Sequence, residues 1–260
     1  MARHGACRAY GILEDGMFPT LKLVFVYLAL GPIAGIIGIP YTLLVGDVSL
    51  LYRVAMWITD AGVRAAGIKV KISGFENIPA GRSCIFMSNH VSNLDPPVTI
   101  PHLPGRSSVL LKKQLMDIPI LGRAMRLAKF VPVARGSRRD AAQASVAAAG
   151  DALRSGLHML VYPEGTRSLD GRLSAFKKGP FFLALETKAP IIPVAVSGTQ
   201  TMMRKGSNAI IPGVARVQLL PPIEPSNYAT REDLMRAVRN AIAEALPPEM
   251  QPADYLTMAL

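Results

Sequence analysis

The sequence predicts an α/β fold, a β-sheet flanked by helices, preceded by a hydrophobic helical segment. Two observations carry this. Beyond about residue 68, short apolar runs bounded by Gly, Pro and polar residues alternate with longer helix-like stretches, the rhythm of an α/β domain. Ahead of them, Leu23 to Gly46 contains no charged residue over 24 positions. The 260-residue chain, half of it hydrophobic, suits one catalytic domain plus an appendage, and can bury a large core. Residues 1–65 read as an N-terminal tail and apolar segment, and residues 66–260 as the α/β domain.

Taken in chain order, the apolar segment comes first. As a helix rising about 1.5 Å per residue it would reach about 36 Å, more than a hydrocarbon core requires, so it predicts a membrane anchor. Gly31-Pro32 and Pro40 interrupt it, leaving a straight span, a kink, a helical hairpin or a helix lying on the membrane open. Val48 to Ile58 then mixes Leu, Met, Trp57 and Tyr52 with the single charge Arg53, a composition suited to the headgroup layer. Arg3, Arg8 and Lys22 precede the run, while Arg53, Arg64, Lys69 and Lys71 follow it. That balance fits an anchor with both ends on the cytosolic face of the inner (cytoplasmic) membrane.

Strands are expected at Lys69–Ser73, Ser83–Ser88, Ser108–Leu111, Phe130–Val133, His158–Tyr162, Ile191–Ser197 and Ala215–Leu219. Helices are expected at Pro97–Ile100, Ile120–Ala128, Arg139–Ser155, Gly179–Thr187 and Arg231–Leu246. Gly156 suits a helix C-terminus, and Thr230 followed by Asp233 suits a helix start. Pro132 and Pro163 stand directly after strand-like runs, where open α/β sheets collect their ligands.

The formal charge of +11, from 29 Lys and Arg against 18 Asp and Glu, calls for an anionic partner. Nucleic acid, an acidic membrane surface and phosphorylated substrates all qualify. Aromatic residues make up only 6% of the chain, no nucleic-acid motif is present, and the basic residues accompany a membrane segment. These argue against nucleic acid. Cys7 and Cys84 are too few for a disulfide framework and lack metal-pair spacing, and His4, His102 and His158 are isolated, so no metal or cofactor site is expected.

Three stretches carry chemistry. In Asn89-His90-Val91-Ser92-Asn93-Leu94-Asp95, a five-residue offset across a turn can bring an imidazole to a carboxylate, the arrangement of a general base. A capping Asp beside a hydrogen-bonded loop His gives the same spacing. No G-x-S-x-G nucleophile accompanies it, so such a pair would act directly on a substrate hydroxyl. In Tyr162-Pro163-Glu164-Gly165-Thr166-Arg167-Ser168, a Gly-bearing turn at a strand end presents a guanidinium fork, as phosphate binding requires, although a surface Glu-Arg pair would look alike. Lys177 and Lys178 add two ammonium groups before a helix start, or form a solvated charge run.

Together with Phe130-Val131-Pro132-Val133-Ala134-Arg135-Gly136 and Pro190-Ile191-Ile192-Pro193-Val194-Ala195-Val196-Ser197-Gly198, these blocks resemble, in order, those of the glycerolipid acyltransferase family. The likeness is greatest to its 1-acyl-sn-glycerol-3-phosphate acyltransferases and runs from about residue 70 to about 225. It implies a mixed β-sheet flanked by helices. It also implies transfer of an acyl chain from an acyl-thioester, acyl-CoA or acyl-carrier protein, to the 2-hydroxyl of lysophosphatidate. Carried over, the catalytic pair falls on His90 and Asp95, and Lys113 matches a lysine near the transfer centre. The substrate-phosphate residues fall on Arg135, Glu164, Gly165, Thr166 and Arg167, with Lys177 and Lys178 beside them; Glu164, an anion that would repel phosphate, is expected to orient Arg167 or a backbone amide instead. Lys129 to Pro132 and Ala134 depart from the common pattern, which bears on acceptor preference. Another lysophospholipid, lyso-ornithine lipid, glycerol 3-phosphate, or an inactive scaffold role are the rival readings.

Overall fold

The computed structural model describes residues 3–133, 139–204 and 206–253. The apolar segment belongs to one 43-residue helix, α1 (Arg3–Val45), that runs unbroken through Pro19, Pro32 and Pro40. Each proline deletes one backbone donor and leaves the rest of the ladder in place. There is no hairpin within residues 23–46. The reversal comes at Gly46, which adopts φ +75°, and the chain returns as α2 (Ser49–Ala65). Within α1, Gly16–Val45 is long and apolar enough to cross a membrane.

α2 lies antiparallel along α1. The Tyr27 ring sits on Gly62, leaving no room there for a Cβ, and Leu51 packs on Gly38. α2 also buries Tyr52, Ile58 and Val63, and the Tyr52 hydroxyl bonds the backbone of Ser107. The second helix is thus part of the domain's core.

Seven strands follow among the described residues: β1 (Ile68–Ser73), β2 (Ile85–Ser88), β3 (Ser107–Lys112), β4 (Val131–Val133), β5 (His158–Val161), β6 (Ile191–Ser197) and β7 (Gly213–Leu219). Their order in the sheet is β1-β7-β6-β2-β5-β3-β4. All neighbours are parallel except β6 and β7, so the sheet is mixed. The helices are α3 (Asp95–Thr99), α4 (Leu121–Leu127), α5 (Arg139–Arg154), α6 (Gly179–Thr187), α7 (Thr199–Met202) and α8 (Arg231–Ala245). Every expected strand and helix is present to within two residues at its ends. α7 and the antiparallel return of β7 were not anticipated.

The central strands are buried on both faces, which is why they read as unbroken apolar runs. On one face Ile85, Met87, Met159, Val161, Ile191 and Ala195 pack under α5, α6 and α8. On the other, Phe86, Leu160, Ile192, Val194 and Val196 pack with Val63 of α2 and Leu94 and Val98 at α3. This is the period-two alternation of a strand sandwiched between layers. Because β2, β3, β4, β5 and β6 run parallel, their carboxyl ends share one edge.

Candidate active site

The carboxyl end of β2 is extended by a side chain. Buried Asn89 donates to the Val196 carbonyl at 2.9 Å and accepts from the Val196 N–H at 2.7 Å, continuing the pairing of β2 with β6. The chain then turns tightly around Asp95, which is fully buried. One carboxylate oxygen, Oδ2, accepts from the Val91 N–H at 2.7 Å, the Ser92 N–H at 2.8 Å and the His90 ring at Nδ1, 2.8 Å away. The other, Oδ1, accepts from the Thr199 hydroxyl at 2.6 Å. Four donors satisfy a buried charge that would otherwise be costly. Since the carboxylate only accepts, Nδ1 carries the ring proton and Nε2 is left as the basic nitrogen.

His90 is held from its backbone as well. Its N–H donates to Glu164 Oε1 at 2.7 Å, and its carbonyl accepts from the Ser168 N–H at 2.8 Å. Glu164 Oε2 accepts from the Ser174 N–H at 2.9 Å. Burial holds the Glu164 carboxyl above its usual range, and these backbone donors offset only part of that rise. Both oxygens are therefore committed to protein amides. Glu164, matched to the phosphate residues by resemblance but expected from its charge to orient Arg167 or a backbone amide, is a buried brace of the His90 loop.

The turn after β5 supplies the remaining contacts. Pro163 and Gly165 occupy the second and fourth positions of a β-turn closed by the Gly165 N–H on the Tyr162 carbonyl at 3.0 Å. Gly165 has φ +72°, and the stem of Lys177 packs against it; a Cβ there would stand 3.3 Å from Lys177 Cγ. The Lys177 N–H bonds the Pro163 carbonyl at 2.7 Å, fixing this lysine beside the turn. Thr166 is exposed and Arg167 half-buried at its far end. The Lys178 ammonium lies 3.6 Å from Glu232 on α8. Lys113 is exposed directly after β3, next to β5 in the sheet. Arg135 and Ala134 lie outside the described residues. His90, the turn holding Arg167 and Lys177, and Lys113 thus leave adjacent parallel strands β2, β5 and β3 at the same edge.

Sequence reasoning missed two residues here. Thr199 meets Asp95 across 104 positions, a contact with no local signal. The Tyr162 ring stacks on the His90 imidazole, centroids 4.2 Å apart and planes 27° apart. Its hydroxyl is buried and has no partner among the described residues. Burial and the nearby Asp95 carboxylate push the phenol well above its ordinary range.

The profile of the Acyltransferase family matches residues 69–197, from β1 to the end of β6, enclosing the His90 constellation apart from Thr199. The chain belongs to this acyltransferase family. It is 32% identical over 188 residues to a 1-acyl-sn-glycerol-3-phosphate acyltransferase of Limnanthes douglasii, covering 72% of this chain and 66% of that protein. A chloroplastic relative with the same activity name from Brassica napus is 35% identical over 181 residues, covering 68% and 51%. The human 1-acyl-sn-glycerol-3-phosphate acyltransferase alpha is 32% identical over 168 residues, covering 65% and 59%. The matched stretch thus spans between half and two thirds of these relatives. Among acyltransferases of known structure, the crystal structure of the 1-acyl-sn-glycerophosphate acyltransferase of Thermotoga maritima superimposes with a TM-score of 0.74 at 26% identity. It covers 87% of this chain and 92% of that one.

Proposed function

We propose that this chain transfers an acyl group from an acyl-thioester, acyl-CoA or acyl-carrier protein, to the 2-hydroxyl of lysophosphatidate, giving phosphatidate for phospholipid synthesis. The observation that carries this is the His90–Asp95 pair, 2.8 Å apart, with Nε2 left basic at a sheet edge that also holds Arg167 and Lys177.

His90 Nε2 takes the proton of the acceptor hydroxyl as its oxygen attacks the thioester carbonyl. Buried Asp95 stabilises the imidazolium that forms. The tetrahedral oxyanion collapses, the carbon–sulfur bond breaks, and the departing thiolate takes the proton back from Nε2. Arg135, Arg167 and Lys177 hold the phosphate and so present the hydroxyl to Nε2. Lys113 stands where it could serve the oxyanion or the donor. Gly165 and Thr166 shape the turn around that phosphate.

Membrane attachment through α1 belongs to the same reading. α1 is tied to the domain at residues 208–210, where the Thr20 hydroxyl bonds the Asn208 carbonyl at 2.8 Å and accepts from the Ile210 N–H at 2.9 Å. It is tied again at Ile120, beyond β3. Both connectors join the sheet at its carboxyl edge, so a membrane-bound α1 would keep His90 near the lipid head groups. We place the domain on the cytosolic face of the inner membrane, where thioester donors are made.

The test supplies an acyl-thioester with lysophosphatidate, lyso-ornithine lipid or glycerol 3-phosphate and follows thiol release and lipid product. Release with lysophosphatidate and recovery of phosphatidate are expected. Release only with another acceptor would overturn the substrate assignment.

A further inference from the structure

The connector between β3 and α4 is exposed and apolar in a way the catalytic site does not explain. Leu115 is 38% exposed, Ile118 44% and Leu121 43%. They stand at three-residue intervals on a segment that starts at the sheet's active edge with Lys113. An apolar patch on a soluble domain marks a contact surface. The segment is also held rigidly. The Arg126 guanidinium donates to the Met116 carbonyl at 2.8 Å, and Met116 is buried beneath it.

Two observations say what covers this patch. It is continuous with the apolar helix: Ile120 packs on Gly35 of α1 so closely that any Cβ at Gly35 would overlap Ile120 Cγ2. Ile120 holds φ 64° and ψ −62°, with the Leu121 N–H bonded to the Pro119 carbonyl at 2.7 Å. That is a γ-turn costly for a β-branched residue, here fixed by the contact with α1. The patch is also bordered by exposed Lys113, Arg123, Arg126 and Lys129 against the single exposed acid Asp117. Apolar side chains rimmed by cations suit the headgroup–acyl boundary of an anionic bilayer.

We propose that Leu115, Ile118 and Leu121 form a second membrane contact that dips into the bilayer beside α1 and seats the active-site edge on the lipid surface. This rests on the membrane-bound reading of α1, and the experiment separates the two. Single tryptophans are placed at Ile118, at Leu28 of α1, and at Phe182, an exposed residue of α6 packed on the domain's other side, each in a Trp57→Phe background. Each protein is bound to phosphatidylcholine–phosphatidylglycerol vesicles carrying brominated acyl chains.

Quenching at positions 28 and 118 but not 182 is the expected result. Quenching at 28 without 118 would overturn the second contact and leave α1 on the membrane. No quenching at 28 would overturn the membrane reading itself, and this proposal with it. In a second arm, the triple variant Leu115→Ser, Ile118→Ser, Leu121→Ser should release thiol from lysophosphatidate in such vesicles about tenfold more slowly than wild type, and equally fast in detergent micelles. Equal rates in vesicles, or equal losses in both, would contradict it.

Discussion

Replacing Asp95 by Asn removes a charge while leaving the hydrogen bonds almost intact. The amide oxygen can take the place of Oδ2 and still accept from the Val91 and Ser92 amides and from His90 Nδ1, and the amide NH2 can donate to a rotated Thr199 hydroxyl. The fold should lose about 1–2 kcal/mol as charge-assisted bonds become neutral ones. The chemistry loses more. Nδ1 lies 2.8 Å from Oδ2, which puts the charge centres about 4 Å apart. At an effective dielectric of about 20 the attraction on a fully formed imidazolium is about 4 kcal/mol, or about 10³ in rate. Initial rates of thiol release at saturating lysophosphatidate, with circular dichroism melting as the fold control, measure this. The expected outcome is a kcat lower by about 10³ with KM nearly unchanged. A loss below about tenfold in a folded variant would show that Asp95 only supports the loop.

Other consequences are equally specific. Tyr162→Leu removes the ring stacked on His90 and should lower kcat about tenfold without moving KM, while Tyr162→Phe restores it; loss in the Phe variant would give the role to the hydroxyl instead. Arg167→Ala should raise KM for lysophosphatidate about tenfold or more with little change in kcat, and an unchanged KM would remove Arg167 from phosphate binding. His158 accepts from the Cys84 N–H at 3.1 Å and burial holds its pKa below the usual 6.5. As pH falls through 6.5 the unfolded chain takes up a proton that the folded chain resists, so stability drops on acidification. Denaturant titrations between about pH 7 and 5 should show wild type losing stability faster than His158→Gln, whose carbonyl can accept the same N–H; parallel curves would contradict this.

What the sequence made legible follows from what is local. Strands β2, β5 and β6 are sandwiched between helices, so their apolar runs announced them. His90 and Asp95 are five residues apart across one turn, so their pairing was readable from spacing. The strand order was not, because it depends on which helices cross which face, and β7 returns antiparallel for reasons spread over the whole sheet. Thr199, opening α7 after β6, and Tyr162, directly after β5, are far from His90 in sequence and meet it only because β6 and β5 flank β2 in the sheet. Glu164 was half legible: its negative charge argued for orienting a guanidinium or a backbone amide rather than holding phosphate, but not that its two oxygens would hold the His90 and Ser174 amides. Lys177 and Lys178 are neighbours in sequence, yet the Lys177 stem packs on Gly165 of the turn while the Lys178 ammonium stands beside Glu232 of α8, a division that nothing local announces. In α1, Pro32 and Pro40 suggested interruptions, but each removes a single donor from a long helix.

The most direct test compares wild type with His90→Ala, both bound to vesicles containing lysophosphatidate, by thiol release from an acyl-thioester. The account predicts steady release with phosphatidate as product in wild type, and release at the uncatalysed rate in the variant despite equal vesicle binding. Retention of the wild-type rate without His90 would contradict the general-base role on which the whole reading rests.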